Sequence, residues 1–123
     1  MPRPRRSVLI VDDHAGFRRR VRAVLQDEGY DVVGEAPDGE TAIRLAVDLS
    51  PDVVLLDVVL PGLDGFETCE RLLIGAAGPT VVLTSTHDPS AFRERIAASR
   101  ASGFLPKAEI SGSALDDLTG GTR

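Results

Sequence analysis

The segment Val53-Val54-Leu55-Leu56-Asp57 decides the fold, because it is the most hydrophobic run of the chain and it closes on an acid. Successive aliphatic residues without a polar alternate are typical of a strand that is buried on both faces. The run Val8-Leu9-Ile10-Val11 repeats this pattern and is followed by Asp12 and Asp13. Strands of this kind occur in parallel sheets whose two faces are covered by helices.

Helix-period segments separate the predicted strands. Apolar residues recur at helical spacing over residues 15–28, and Gly29 follows as a stop signal. Because buried strands alternate with helices, the sequence predicts an α/β fold, with a doubly wound, five-stranded parallel sheet and helices on both faces. The remaining elements are strands over 31–36, 81–85 and 103–105, a helix capped by Asp38 and ending at Leu49, and helices over 66–73, 90–99 and 114–118.

Length and composition indicate one globular domain. The chain has 123 residues, of which 42% are hydrophobic and 27% charged. We expect the domain to cover residues 7–118, between a basic N-terminal tail (1–6) and a frayed C-terminus (119–123). Since no apolar run approaches the ~20 residues that cross a bilayer, we predict a cytoplasmic protein without a membrane partner.

The charge balance argues against a nucleic-acid partner. The net charge is −5, whereas non-specific DNA binding normally needs a basic face. Arg18, Arg19, Arg20 and Arg22 form a local basic cluster, but their successive helical positions favour a solvated face. We therefore predict no direct nucleic-acid binding by this domain.

Polar side chains stand at the predicted carboxyl ends of four strands. Ligands of open α/β sheets bind beyond these ends, so the side chains are expected to meet at one edge of the sheet. They are Asp12 and Asp13 after the first strand, Asp57 at the end of the third, Thr84 and Ser85 at the end of the fourth, and Lys107 after the fifth.

Carboxylates that meet at one edge need positive charge among them. Two unit charges about 4 Å apart at an effective dielectric near 20 repel by roughly 4 kcal/mol, which would raise the pKa values of crowded acids. Lys107 can neutralise one charge, and the remaining oxygen ligands suit Mg²⁺. A carboxylate so placed can attack phosphorus to form an aspartyl phosphate, while the Ser85 hydroxyl donates to a phosphoryl oxygen.

These residues resemble the receiver domain of two-component response regulators. The matching stretches are Val8–His14, Leu55–Gly65 and Ser102–Lys107, and the likeness covers nearly the whole chain. The resemblance implies the flavodoxin-like strand order 2-1-3-4-5. The opening Asp12-Asp13-His14 followed by Phe17-Arg18 is similar to the branch usually fused to a helix-turn-helix DNA-binding domain, and we expect no output domain within these residues.

The resemblance implies a metal-dependent phosphoacceptor. Asp57 would accept the phosphoryl group from a sensor histidine kinase. Asp12, Asp13, Asp57 and the backbone carbonyl of Val59 would hold Mg²⁺, and Lys107 would pair with the phosphoryl group. Such a domain is a signalling switch and not an enzyme, apart from catalysing its own phosphotransfer and dephosphorylation.

The resemblance also implies a switch in partner binding. Ser85 would move toward the phosphoryl group, with Thr84 as the alternative, because only one of two neighbours on a strand faces the site. Phe104 would then change rotamer, although it lacks the hydroxyl of the tyrosine common at this position. An output protein or domain of unknown identity would read the change, and a homodimer remains open.

Two other classes that use phosphate chemistry lack their motifs here. A hydrolase of the haloacid-dehalogenase type typically needs a second acid two positions after its nucleophile, where this chain has Val59. A nucleotide hydrolase would carry a Gly-rich loop ending in Gly-Lys-Ser or Gly-Lys-Thr, which the sequence lacks. The alternative is an interaction module that keeps the fold and signals without phosphate, against which the intact acidic set argues.

Overall fold

The computed structural model describes residues 5–74 and 78–120. Strands and helices alternate along these residues, as the sequence predicts. The strands are β1 (Ser7–Val11), β2 (Asp31–Ala36), β3 (Val53–Asp57), β4 (Thr80–Ser85) and β5 (Gly103–Pro106). The helices are α1 (Ala15–Asp27), α2 (Gly39–Leu49), α3 (Gly65–Leu72), α4 (Arg93–Ala98) and α5 (Gly112–Thr119), and 3₁₀ turns cover Pro89–Phe92 and Lys107–Glu109. None of the helices in the described ranges is long and apolar enough to span a membrane.

The strands form one parallel sheet in the order β2-β1-β3-β4-β5. This order confirms the predicted flavodoxin-like arrangement. Alternate residues of the central strands enter two separate hydrophobic clusters. Val8 and Ile10 pack with residues of α1 and α5, whereas Leu9 and Val11 pack with residues of α2 and α3. Helices therefore cover both faces of the sheet, and the fold is doubly wound.

The strand order creates a switch point beside β1. The chain leaves β1 toward β2 on one side, whereas β3 lies on the other side. Loops that diverge in this way leave a crevice beyond the carboxyl ends of the two strands. The residues that follow Val11 and those that follow Leu56 border this crevice, because the two residues are register partners.

The helix predicted over residues 90–99 is divided in the structure. Pro89 begins a 3₁₀ turn, in which the Asp88 carboxylate accepts the Ser90 N–H at 2.8 Å, and α4 follows only at Arg93. Ser99 stops the helix in extended backbone, and its hydroxyl donates to the carbonyl three residues earlier at 2.7 Å. The α4 helix is consequently only six residues long.

The α5 helix is longer than predicted and is tied to the segment after α1. It begins at Gly112, before the predicted residue 114, because the Ser111 hydroxyl accepts a first-turn N–H at 3.0 Å. The Glu28 carboxylate accepts the Gly112 N–H at 2.5 Å. The Tyr30 hydroxyl donates to the Asp116 carboxylate. These long-range bonds fix a helix whose own apolar pattern is weak.

Residues next to the predicted domain limits contact each other. The Arg6 carbonyl accepts the Asp31 N–H at 2.9 Å, and the Arg6 guanidinium donates to the Thr119 hydroxyl at 2.5 Å. Thr119 is the last residue of α5. The rest of the tail (1–4) and of the C-terminus (121–123) lies outside the described residues.

We expect Tyr30→Phe to lower the free energy of unfolding by about 1 kcal/mol, because it removes the donor to Asp116. Burial, reinforced by the Asp116 carboxylate, raises the pKa of Tyr30 from 10.0 to about 12. Such a shift stabilises the fold fully below pH 10.0, and this stabilisation is lost as the pH rises through about 12. Urea unfolding on both sides of pH 10.0 should show this loss in the native chain and not in Tyr30→Phe. Equal stability of the two proteins at neutral pH would contradict the expectation.

Candidate functional site

Two acids of the predicted cluster are buried at the switch point. Asp12 directly follows β1 and is 0% exposed, and Asp57 is the last residue of β3 and is 4% exposed. Backbone hydrogen bonds fix both residues. The Asp12 N–H donates to the Ala36 carbonyl at 3.0 Å, and the Asp57 Oδ1 accepts the Val59 N–H at 3.0 Å. The site is therefore anchored in the sheet itself.

A single ammonium serves both buried acids. The Lys107 Nζ lies 2.5 Å from Asp12 Oδ2 and 3.0 Å from Asp57 Oδ2. Burial raises the pKa of Asp57, although the Val59 N–H and Lys107 oppose this shift. Burial alone would lower the pKa of Lys107, but the two neighbouring carboxylates outweigh it and raise that pKa. One cation between two acids leaves the site short of positive charge.

An open cavity of about 500 Å³ lies over this ion pair. Asp12 is buried beneath the cavity and contacts two residues of its lining, His14 and Lys107, whereas the Asp13 side chain is 41% exposed. The volume is within the range of small-ligand sites. The predicted site residues in its lining are Asp13, Asp57, Val59, Ser85 and Lys107.

The structure distinguishes Ser85 from Thr84. Ser85 lines the cavity, and its hydroxyl oxygen accepts the His87 N–H at 2.9 Å. Thr84 is the register partner of Asp57 and is buried, and its carbonyl accepts the Val58 N–H at 3.0 Å. Of these two neighbours, Ser85 is the one that lines the cavity.

The donor atoms near Asp12 fit a hard divalent cation. Carboxylate oxygens of Asp12 and Asp13 and a ring nitrogen of His14 lie within 4.8 Å of one another. The His14 Nδ1 is 3.3 Å from Asp12 Oδ1 and 3.1 Å from Asp13 Oδ1, so the three groups converge on one point. Carboxylate oxygens, together with a nearby backbone carbonyl, are the ligands that small hard cations prefer.

Phe104 does not reach the cavity. It is half-buried on β5 opposite Leu83, and it packs in the cluster that also contains Phe92 and Ile96. The structure thus separates Phe104 from the other predicted site residues and places it toward α4.

Arg18 is a site residue that sequence reasoning missed. Its guanidinium donates to the Asp12 carbonyl at 2.6 Å and to the Glu35 carboxylate at 3.0 Å, and Arg22 donates to the same carboxylate at 2.7 Å. Arg18 and Arg22 therefore do not belong to a solvated face. Burial opposes the shift, but the two arginines hold the pKa of Glu35 below its usual range. The four-residue spacing of the two arginines on α1, with Glu35 on the neighbouring strand β2, is the sequence feature that points to this contact.

A chain of side chains leads from Ser85 to α3. The Ser85 hydroxyl lies 3.2 Å from the His87 Nδ1, and the His87 ring meets Phe92 edge to face at 5.9 Å. Phe92 lies 5.9 Å from Phe66, over whose ring the Arg95 guanidinium lies at 4.3 Å. No sequence pattern indicates these contacts, because they depend on how the β4–α4 segment turns.

This fold and this edge of clustered acids agree with a known family. The family model for the response regulator receiver domain matches residues 8–117. The chain therefore belongs to the response regulator receiver family of two-component systems.

Individual relatives agree with this assignment. The chain is 37% identical to the response regulator GacA of Pseudomonas aeruginosa over 113 residues, which are 91% of this chain and 51% of GacA. It is 37% identical to the transcription regulator BvgA of Bordetella pertussis over 103 residues, 84% of this chain and 49% of BvgA. The signal receiver domain of NarL from Mycobacterium tuberculosis superposes with a TM-score of 0.84 at 34% identity, covering 97% of this chain and 100% of that chain. The chain thus spans about half the length of these two curated relatives.

We expect Gly65→Ala to destabilise the protein by roughly 1–3 kcal/mol through overpacking. A Cβ at Gly65 would overlap the carbonyl oxygen of Asp57 and the Cα of Val58, which are backbone atoms that cannot turn away. The matched control is Gly16→Ala, whose Cβ would meet nothing closer than the Arg19 side chain at 3.8 Å. Urea unfolding should show a loss for Gly65→Ala alone, and similar unfolding midpoints for the two variants would contradict this account.

Proposed function

We propose that the chain is a phosphorylation switch in which Asp57 accepts a phosphoryl group from a sensor histidine kinase. One observation carries the proposal: the buried Asp57 carboxylate borders an open cavity and lies 3.0 Å from the ammonium that it shares with Asp12. An acid with a purely structural role would have a counter-ion of its own, whereas Asp57 shares a single ammonium with Asp12. We assign no enzymatic activity beyond the domain's own phosphotransfer and dephosphorylation.

The transfer step requires an ionised Asp57. A carboxylate oxygen forms a bond to phosphorus, while the bond from phosphorus to the donor atom breaks and its electron pair leaves with the donor. Burial raises the pKa of Asp57, so Lys107 and the Val59 N–H are needed to keep the anion available at neutral pH. The Lys107 ammonium then offsets charge on the transferred group.

The residues present fit Mg²⁺ as the cofactor of this transfer. Asp12, Asp13, Asp57 and the carbonyl of Val59 would hold the ion, which supplies neutralising charge to the phosphoryl oxygens. Asp13 is suited to admit the ion, because its side chain is 41% exposed at the cavity. The charge of the bound ion would neutralise the negative charge that Lys107 alone does not balance.

The switch follows from the charge that phosphorylation adds. A phosphoryl group brings about −1.5 to −2 charge and new acceptor oxygens, toward which the Ser85 hydroxyl can turn. That hydroxyl now contacts His87, whose ring rests against Phe92, so its movement would loosen the β4–α4 segment. Phe104 packs in the same cluster as Phe92 and would respond.

The partner reads the change through its differential affinity for the two states. We propose that the face formed by α4, β5 and α5 binds an output protein or domain, in the cytoplasm, without direct nucleic-acid contact by this domain. The proposal allows this domain to act either as a monomer or as a homodimer. The family resemblance supports these assignments.

The proposal predicts a covalent product on Asp57. Incubation with acetyl phosphate and Mg²⁺ should add one phosphoryl group to the intact mass, and Asp57→Asn should abolish the gain. Asp48→Asn is the matched control, because Asp48 is an exposed acid on the surface of α2. A native chain that gains no mass would instead favour a module that signals without phosphate.

Asp13→Ala should weaken Mg²⁺ binding roughly tenfold or more, because it removes an oxygen ligand at the open side of the site. Calorimetric titration of the unphosphorylated protein with Mg²⁺ measures this loss without any phosphodonor. Asp48→Ala serves as the control for the loss of one surface charge. Identical Mg²⁺ titrations of the native chain and Asp13→Ala would remove Asp13 from the site.

A further inference from the structure

We propose that Phe17 is a positioning residue for the phosphoryl transfer, because its ring holds the Lys107 ammonium between Asp12 and Asp57. This inference rests on the function proposed above. It concerns how the cation is held, whereas that function concerns which acid reacts. The sequence indicates only a core role for Phe17, as one of the apolar residues of α1.

The contact is a cation–π interaction by geometry. The Lys107 Nζ lies over the face of the Phe17 ring, 4.4 Å from its centroid. This is well inside the ~6 Å within which a cation is attracted to the negative face of an aromatic ring. Phe17 is 8% exposed and packs in the hydrophobic cluster of α1 and α5, so its ring is a fixed surface.

The hydrogen-bonding capacity of Lys107 leaves room for this contact. An ammonium has three N–H donors. The Asp12 and Asp57 carboxylates form ion pairs with it at 2.5 Å and 3.0 Å. The Lys107 side chain is only 11% exposed, which leaves little water for the remaining donor. The face of Phe17 is the surface available to it.

A flexible lysine needs such a surface. Lys107 begins a 3₁₀ turn after β5, and its long stem loses much rotamer freedom when the ammonium is held in one place. When a metal ion or a phosphoryl group engages the acids, the pull of each acid on the ammonium changes. The ring contact does not depend on those events, so Phe17 keeps Lys107 in position throughout the transfer.

The competing explanation is simple apolar packing of the lysine stem against the ring. Phe17→Leu keeps apolar bulk and removes the aromatic face, whereas Phe17→Tyr keeps the face. We expect Phe17→Leu to slow phosphorylation by saturating acetyl phosphate about three- to thirtyfold, while Phe17→Tyr retains the native rate. The effect should fall on the maximal rate, because Lys107 acts on the group in transfer and not on the encounter with the donor.

Two controls separate positioning from structure. Val21→Ala loosens the same buried face of α1 one turn later and should leave the rate unchanged. In a Lys107→Ala background, Phe17→Leu should have no further effect on the rate, because Phe17 acts only through Lys107. A rate loss for Phe17→Leu that persists in that background would assign Phe17 a merely structural role and overturn the proposal.

Lys107 is the only lysine of the chain, which allows a test that needs no phosphorylation. Labelling with ¹³C-lysine gives one ε-methylene NMR signal, and the ring should displace its protons upfield. Phe17→Leu should return the signal to its ordinary position, and Phe17→Tyr should keep it displaced. An undisplaced native signal, or equal maximal rates for the native chain and Phe17→Leu, would overturn the role of Phe17 alone. A native chain that gains no phosphoryl group would overturn the proposed function as well.

Discussion

The site depends on one ammonium that reaches two buried acids from a distant strand. β5 is separated from β3 by β4, so the backbones are about 10 Å apart at the strand spacing of a sheet. Only a long side chain can cross that gap, and Lys107 does so beneath the cavity. Its positive charge offsets the repulsion between the buried carboxylates of Asp12 and Asp57. The ion pairs therefore form only when β1, β3, β4 and β5 are aligned, so the site is complete only in the folded sheet.

The two faces of the sheet are held to different degrees. On the side of α1 and α5, side chains of Arg6, Glu28 and Tyr30 bond to α5 over long sequence separations. On the other side, α4 is six residues long, and Phe92, which precedes it, packs its ring against Phe66 and His87. Local opening is easiest where few apolar contacts and short helices coincide. The segment next to Ser85 is therefore the part of the molecule best suited to change.

Much of the fold could be predicted because its strands are apolar on both faces, whereas its helices are apolar on one face only. The contrast between Val53–Leu56 and the helix-period segments predicted the order of the elements. The polar residues at the strand ends predicted that Asp57 and Lys107 lie close together. Alternation allows only one of Ser85 and Thr84 to face the site, and the preference for Ser85 rested on its spacing from Lys107. The structure confirms the predicted fold and strand order.

The remaining features arise from contacts between residues far apart in the chain. The sequence predicts that Arg18 is a surface arginine, whereas the fold places Glu35 and the Asp12 carbonyl beside it. The division of the fourth helix depends on the Asp88 cap as much as on helical period. Phe17 is apolar and periodic, so the pattern explains its burial and says nothing of the cation above its ring.

The solitary lysine has one more consequence. Any reagent or enzyme that acylates lysine side chains has a single target in this chain, and that target is the ammonium shared by Asp12 and Asp57. Acylation would turn it into a neutral amide and leave two facing acids without a counter-ion. Elsewhere the chain carries its positive side chains as arginine, whose guanidinium stays charged at any physiological pH. Acetylation of a lysine in this chain would therefore always remove the positive charge of the site, because there is no other lysine to be modified in place of Lys107.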